Sequence, residues 1–242
     1  MTAPAVTFGE TMGLFAADTV GHLSHLPSLS VGIGGAESNV AIAMARLDVP
    51  VVWMGRVGHD PLGDKVIREI RAEGVIVRAV RDPDRSTGLM IKERPPGGGV
   101  NVWYYRAGGA GSALCVDDID DTAIAGASVL HVTGITPSLG PAPRAATYHA
   151  IDVARAHGVP VSFDVNYRAT LWPPDIARPV LSDLARSADL LFAGADEARL
   201  VLGAKYEDCT DATELSKALS ALGPAEVVVK LGDEGALALL DG

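Results

Sequence analysis

The sequence is poor in cysteine. Its 242 residues include two cysteines, Cys115 and Cys209, which lie far apart and form no Cys-x-x-Cys pair. This spacing argues against both a disulfide framework and a thiolate metal site. We therefore expect the protein to work in a reducing, cytoplasmic environment.

Long apolar runs and an excess of positive charge are also missing. No stretch approaches the ~20 uninterrupted apolar residues that span a bilayer, and no basic segment with an apolar run opens the chain. The net charge of −10 argues against attraction to nucleic acids or anionic membranes. We expect neither export nor membrane insertion, and an anion site would have to be a local cluster of arginines.

The sequence does contain a regular alternation of short apolar, β-branched runs with helical patterns. Such runs suit strands buried on both faces of a sheet, and Gly74, Gly158 and Gly223 suit helix ends. The predicted strands lie at residues 51–54, 75–77, 129–132, 161–165, 190–192 and 227–229, and the predicted helices at residues 40–47, 66–72, 145–156 and 215–222. This order predicts an α/β fold with a largely parallel sheet flanked by helices.

Two segments, residues 21–33 and 87–106, break this alternation. In the second, the turn Pro95-Pro96-Gly97-Gly98-Gly99 separates two apolar stretches, which predicts an antiparallel hairpin with an enlarged loop. Both segments are predicted to build a small separate sheet. Because no linker is long enough to divide the chain, residues 1–242 are predicted to form a single domain.

Two glycine-rich segments fail the common patterns for nucleotide binding. Residues 32–37 place Glu37 where a dinucleotide fingerprint has its third glycine. Residues 58–65 have the glycine spacing of a phosphate loop, but Asp64 stands where a lysine must meet the phosphate. An acid there would repel the ligand, so neither segment predicts a phosphate loop.

Gly34, Gly35 and Asn39 fit a small polar ligand better. Glycines let a ligand approach the backbone, a helix N-terminus offers amide donors, and an asparagine side chain both donates and accepts hydrogen bonds. These groups suit the hydroxyls of a sugar, and residues 34–63 are interpreted as a sugar-holding segment. The alternative is structural: the glycines only make turns, and Asn39 only caps its helix.

The same segment resembles a known family. Residues 34–41, Gly-Gly-Ala-Glu-Ser-Asn-Val-Ala, followed by residues 55–63, Gly-Arg-Val-Gly-His-Asp-Pro-Leu-Gly, are similar to the first signature of the ribokinase family, which includes the B-type phosphofructokinases. Asp48 departs from it where the family has glycine or serine, but aspartate tolerates a left-handed helix end. The resemblance implies a ribokinase-like fold. It also implies that segments about 10–33 and 87–107 form a small β lid that supplies a homo-oligomer surface.

Three further blocks are most similar to the 2-keto-3-deoxygluconate kinases of that family. These blocks are residues 104–106 with 109–114, residues 134–137, and residues 164–168 with 170–172. The similarity implies transfer of the γ-phosphoryl group of ATP, with magnesium, to a hydroxyl of 2-keto-3-deoxygluconate or a similar keto-sugar acid. Two alternatives stay open: a fructokinase- or ribokinase-like kinase of a neutral sugar, and a catalytically silent sugar-binding protein.

The similarity also assigns roles on the sugar side. Arg168 follows a predicted buried strand, where ligands bind in open α/β sheets, and its guanidinium can grip a carboxylate through two hydrogen bonds. Arg106 is implied to neutralise charge on the transferring phosphoryl group. Alternatively, both arginines are surface ion-pair partners. The whole sugar-side set is Gly34, Gly35, Asn39, Tyr104, Tyr105, Arg106 and Arg168.

The nucleotide side is assigned to residues 229–236, which match the family's ATP-side loop. Gly232 and Gly235 would admit phosphates close to the backbone, although the segment read alone is an ordinary β-turn. Glu197 falls on the acid of the family's Asn-x-x-Glu magnesium pattern and is implied to act through water, with Gly194 replacing the asparagine. The ATP-binding set is Asn166, Lys230, Leu231, Gly232 and Gly235.

The family's general base is an aspartate in a Gly-Ala-Gly-Asp segment, and this sequence contains no such segment. In the family that aspartate removes the proton from the attacking hydroxyl. The sequence ends on an apolar run followed by Asp241-Gly242, a hairpin turn signal. We therefore expect the fold and its catalytic base to continue past Gly242, and the C-terminal part to be missing here.

Overall fold

Strands and helices alternate along the chain, as the sequence predicts. The computed structural model describes residues 2–240, so the turn signal at Asp241-Gly242 lies outside the described residues. The chain forms two compact units. The N-terminal unit is Thr7–Ile119, and the C-terminal unit runs from Asp120 onward and includes residues 2–6.

The N-terminal unit contributes strands to two sheets. Its strands are β1 (Ala5–Phe8, which begins in the C-terminal unit), β2 (Met12–Ala16), β3 (Ser30–Gly34), β4 (Val51–Gly58), β5 (Ile76–Asp82), β6 (Leu89–Glu93) and β7 (Asn101–Tyr105), and its helices are α1 (Ala36–Arg46) and α2 (Pro61–Ala72). β4 and β5 are parallel. A separate four-stranded sheet has the order β3-β2-β6-β7.

This small sheet contains the segments that break the alternation. β6 and β7 pair antiparallel, with Leu89 opposite Tyr105 and Glu93 opposite Asn101. β2 pairs antiparallel with β3 and parallel with β6. The predicted hairpin and the predicted separate sheet are therefore both confirmed.

The C-terminal unit alternates strands and helices more regularly. Its strands are β8 (Val129–Thr133), β9 (Val161–Asp164), β10 (Leu190–Gly194), β11 (Glu226–Lys230) and β12 (Ala236–Leu239), and its helices are α3 (Asp121–Ala125), α4 (Ile135–Ser138), α5 (Pro141–Ala156), α6 (Pro174–Arg186), α7 (Ala195–Leu202) and α8 (Ala212–Ser220). β8, β9, β10 and β11 pair in parallel, and β12 pairs antiparallel with β11. The predicted α/β fold with a mostly parallel sheet is confirmed.

Helix α1 begins earlier than predicted. Its first turn contains Glu37 and Ser38, which are buried although polar, so the apolar pattern starts only later in the sequence. The chain leaves α1 through Asp48, whose φ of 59° lies in the left-handed region, as predicted. Gly74 and Gly158, with φ of 84° and 67°, follow α2 and α5 in the same way.

Each unit buries its own apolar side chains, and each such side chain contributes roughly 1.5–3 kcal/mol. The largest fully buried side chains are Phe8, Trp53, Met54, Ile70 and Leu114 in the N-terminal unit, and Ile124, Leu130, Phe163, Leu181, Leu184, Leu191 and Leu215 in the C-terminal unit. None of the helices within residues 2–240 combines the length and apolarity needed to cross a membrane.

Candidate functional site

Gly34 and Gly35 connect β3 to α1, where Gly35 is the N-cap residue. A Cβ on Gly35 would overlap the carbonyl oxygen of Glu10, and a Cβ on Gly34 would overlap the terminal methyl of Met90. Both glycines therefore lie in close packing. That packing supports the structural reading of the pair.

Asn39 lies in the first turn of α1. Its backbone N–H donates to Gly35 O at 3.0 Å, and its side chain is exposed. Because Gly35 occupies the N-cap, the interpretation that Asn39 caps this helix is wrong. Its carboxamide can instead offer both a donor and an acceptor to a hydroxyl group.

Arg106 follows β7 and forms an ion pair with Glu10. The pair joins Arg106 Nη2 to Glu10 Oε2, and the two side chains are 12% and 2% exposed. The pair is therefore buried, unlike the surface pair considered from the sequence. The guanidinium carbon also lies 5.8 Å from the ring centroid of Tyr104, which is half-exposed like its neighbour Tyr105.

Burial raises the pKa of the Glu10 carboxyl above its ordinary value. The positive charge of Arg106 and its hydrogen bond act in the opposite direction, and the nearby charge of Glu37 adds to the increase. Opposite and like charges shift a carboxyl in these two senses. Ionisation of Glu10 therefore depends on Arg106.

Arg56, in the second half of the signature, is held by acids. Its Nε donates to Asp82 at 2.8 Å, and its Nη1 donates to Asp118 at 2.9 Å. Burial alone would raise the pKa of Asp82. The hydrogen bonds from Arg56 and from the amides of Asp84 and Arg85 instead lower this pKa to about 2. Arg56 thus ties β4 to β5 and to the segment around Asp118.

Asp60 has a similar internal role. It is the N-cap of α2, where its Oδ1 accepts from Gly63 N at 2.8 Å. Its Oδ2 accepts from Thr87 N at 2.7 Å, while the Thr87 hydroxyl accepts from Gly58 N at 2.9 Å. Residues 55–63 therefore anchor the chain just before β6.

In the C-terminal unit, three parallel strands end beside a cleft of about 850 Å³. The last residues of these strands are Asp164, Gly194 and Lys230. Lys230 Nζ lies 2.7 Å from Asp164 Oδ1 and 3.6 Å from Glu197 Oε2. One ammonium group thus connects two acids at the carboxyl ends of the strands.

Four residues of the predicted nucleotide side line this cleft, namely Glu197, Lys230, Leu231 and Gly232. Gly232 and Gly235 have φ of 65° and 97°, and no neighbouring atom lies within 4 Å of the position that a Cβ would take at either residue. The loop joins β11 to β12, and Leu231 N donates to Gly235 O at 2.8 Å. The turn is tight, yet its backbone is open on one side.

Glu197 uses both carboxylate oxygens for backbone contacts. Oε1 accepts from Tyr167 N at 2.9 Å, and Oε2 accepts from Gly194 N at 2.6 Å. Among the described residues, no group of three or more acids, histidines or cysteines could hold a metal ion. This arrangement fits a magnesium ion only through water, because magnesium retains several waters and takes further ligands from substrate phosphates.

Asn166 and Arg168 lie in the segment after β9. Asn166 has a φ of 40°, a left-handed conformation that asparagine tolerates. Arg168 is exposed, and its Nη1 donates to Tyr167 O at 3.2 Å. The hydroxyl of Tyr167 donates to Trp172 O at 3.0 Å, which holds this segment in shape.

The sequence analysis assigned no role to two residues of the site, Glu10 and Asp164. Glu10 stands alone after the first strand, and no motif marks it. Asp164 belongs to a recognised block, but its contact with Lys230 spans 66 positions of sequence. Local sequence patterns predict neither the contact of Glu10 with Arg106 nor that of Asp164 with Lys230.

The fold is shared with carbohydrate kinases of known structure. The chain superposes on a PfkB protein from Polaromonas sp. JS666 with a TM-score of 0.90 and 37% identity, covering 98% of this chain and 79% of that one. A 2-dehydro-3-deoxygluconokinase from Thermotoga maritima gives a TM-score of 0.91 at 27% identity, covering 100% of this chain and 77% of that one. The class is therefore that of the α/β sugar kinases.

The sequence identifies the family within that class. The model described as "pfkB family carbohydrate kinase" matches residues 3–242, and the chain belongs to this family. The 2-dehydro-3-deoxygluconokinase of Bacillus subtilis (strain 168) is 40% identical over 240 residues, which are 98% of this chain and 72% of the relative. The resemblance drawn from the sequence is confirmed.

Proposed function

We propose that the protein transfers the γ-phosphoryl group of ATP to a hydroxyl of 2-keto-3-deoxygluconate or a similar keto-sugar acid. The observation that carries this proposal is the 40% identity, across 98% of the chain, to a Bacillus subtilis enzyme named for that substrate. 2-Dehydro-3-deoxygluconate is another name for the same sugar acid. The exposed Arg168 adds chemical support.

Arg168 is the proposed carboxylate-binding residue. Its guanidinium lies beyond the carboxyl end of β9, and its contact with Tyr167 O engages a single nitrogen. A guanidinium has five N–H donors in a fixed fork, so further donors suit a bidentate bond to a carboxylate. A neutral sugar offers no such partner.

In the N-terminal unit, we propose that Gly34, Gly35 and Asn39 bind sugar hydroxyls through backbone amides and the Asn39 carboxamide. Tyr104 and Tyr105 would add an apolar face and hydroxyl groups. Arg106 would meet negative charge on the transferring group, where a donor preorganised in a buried setting is most effective. Its 12% exposure and its ion pair with Glu10 support this role.

In the C-terminal unit, we propose that ATP is held by Asn166, Lys230, Leu231, Gly232 and Gly235. When bound, ATP supplies the phosphoryl group and magnesium offsets its charge. The open backbone at Gly232 and Gly235 leaves room for phosphates. Lys230 is shared with Asp164 and Glu197, and Glu197 would order water on the metal.

We propose that residues 1–242 act as one kinase domain, with segments 10–33 and 87–107 as a lid over the substrate. A homo-oligomer through this lid is supported by exposed apolar side chains on the small sheet. These are Val31 and Trp103, which are 43% and 39% exposed. A cytoplasmic location is proposed because ATP is available there.

The test replaces Arg168 by glutamine. Removing a hydrogen bond to a charged group costs about 1.5–3 kcal/mol, so the dissociation constant for 2-keto-3-deoxygluconate should rise about 10- to 100-fold. Binding of the corresponding neutral ketose should change little. Titration calorimetry of the wild type and of Arg168→Gln with each of the two sugars measures these dissociation constants.

Arg155→Gln is the matched control, because Arg155 is an exposed arginine near the end of α5 in the same unit. It should bind the sugar acid like the wild type. Equal weakening of the acid and the neutral sugar by Arg168→Gln would contradict the carboxylate assignment. Such a result would favour a kinase of a neutral sugar.

A further inference from the structure

The carboxylate of Glu10 is enclosed by its neighbours. Its side chain is 2% exposed. A Cβ on Gly88 would lie 2.9 Å from Glu10 Oε1, and a Cβ on Gly111 would overlap the Glu10 side chain. The carboxylate thus fits only because two neighbours have no side chain, and this packing fixes its position.

The side chain of Glu10 holds Arg106. The ion pair between Glu10 Oε2 and Arg106 Nη2 is buried, and the guanidinium is 12% exposed. An uncompensated buried charge is costly, so each partner constrains where the other can lie. Arg106 therefore has a defined direction before any ligand arrives.

The main chain next to Glu10 holds the glycine turn. A Cβ on Gly35 would overlap Glu10 O and would lie 2.8 Å from Thr11 Oγ1. The backbone at Glu10 and the buried side chain of Thr11 therefore form the wall against which Gly35 packs. One short segment contacts two of the predicted sugar-side residues.

We propose that Glu10 is a positioning residue that fixes Arg106 through its carboxylate and Gly35 through its main chain. This inference rests on the proposed function, in which Arg106 and Gly35 act on the substrate. Glu10 itself does not touch the sugar. A buried ion pair can also be purely structural, and kinetics separates the two roles.

The experiment is a double-mutant cycle on the product of the complete coding sequence, assayed with ATP and 2-keto-3-deoxygluconate. Glu10→Gln keeps the size of the side chain and removes its charge. Arg106→Lys keeps the positive charge and removes the planar guanidinium group with its several N–H donors. Because small misplacement of a reacting group is costly, each single variant should lower kcat about 10- to 100-fold, with the KM for ATP unchanged. The double variant should be no worse than the poorer single variant.

Asp82→Asn is the matched control. It breaks another buried acid–arginine pair of the same unit, with Asp82 1% and Arg56 19% exposed. It should lower stability in urea while leaving kcat and KM at low temperature within about twofold, because the side chain of Asp82 bonds Arg56, Asp84 and Arg85, none of which is proposed to bind the substrate. If Glu10→Gln does not fold, Glu10→Asp replaces it in the experiment. This variant keeps the charge but shortens the side chain, and it should also lower kcat.

Additive losses in the cycle would overturn the inference, because Glu10 would then act independently of Arg106. It is also overturned if the folded Glu10 variants keep wild-type kcat, or if Arg106→Lys does. The proposed function fails by a different observation: a wild-type enzyme that phosphorylates no keto-sugar acid.

Discussion

Gly34 and Gly35 are adjacent, but a side chain is excluded at each position for a different physical reason. A Cβ on Gly35 would meet the backbone carbonyl of Glu10, whereas a Cβ on Gly34 would meet the end of the Met90 side chain. A backbone atom cannot move without its neighbours, but a methionine has three rotatable bonds and adapts to its surroundings. The two positions should therefore tolerate alanine differently.

This difference predicts a result for two matched variants. Gly35→Ala should destabilise the protein by about 1–3 kcal/mol, the usual cost of overpacking a close contact. Gly34→Ala should cost clearly less, because Met90 can turn away. Urea unfolding of both variants measures the difference, and equal losses would contradict this account of the glycine turn.

At the scale of strands, β8 and β9 carry a buried polar pair. His131 on β8 lies opposite Ser162 on β9, and its Nδ1 is 3.0 Å from Ser162 Oγ. His131 is 5% exposed, and within the described part of the chain its Nε2 has no hydrogen-bond partner. Burial lowers the pKa of His131 from 6.5 to about 4.

The lowered pKa predicts an acid-sensitive strand pair. Between about pH 6.5 and pH 4 the unfolded chain binds the histidine proton while the folded chain does not, so stability is present above pH 6.5 and falls on acidification. From pH 7.5 to pH 5 this group should cost about 2 kcal/mol, at about 1.4 kcal/mol per pKa unit. His131→Asn should remove most of that loss in urea unfolding. Parallel pH curves for both proteins would show that His131 is not responsible.

Sequence patterns predict the secondary-structure elements better than they predict which distant residues contact each other. The apolar alternation, the hairpin and the left-handed Asp48 are local features, and all were readable from the sequence. The apolar pattern places the start of α1 at residue 40, after its observed start at Ala36, because the buried Glu37 and Ser38 look like surface residues. The contacts of Glu10 with Arg106 and of Lys230 with Asp164 join distant positions, which a single sequence does not reveal.

At the scale of the whole molecule, the net charge has the same sign as the charge of the proposed substrates. The chain carries a net charge of −10, but the proposed substrates, a sugar acid and ATP, are anions. Several basic groups are paired internally: Arg56 with Asp82 and Asp118, Arg106 with Glu10, and Lys230 with Asp164. Anion recognition must then come from local, directed donors, with Arg168 exposed and with Arg106 and Lys230 held in place by their acids, and not from the overall field.

The specificity ratio of the wild-type enzyme shows whether its substrate is a sugar acid or a neutral sugar. The value of kcat/KM with ATP should be measured for 2-keto-3-deoxygluconate and for fructose in the same coupled assay, on the product of the complete coding sequence. We expect a preference for the sugar acid of at least about tenfold, the value of one hydrogen bond to a charged group. An equal or higher kcat/KM for fructose would contradict it.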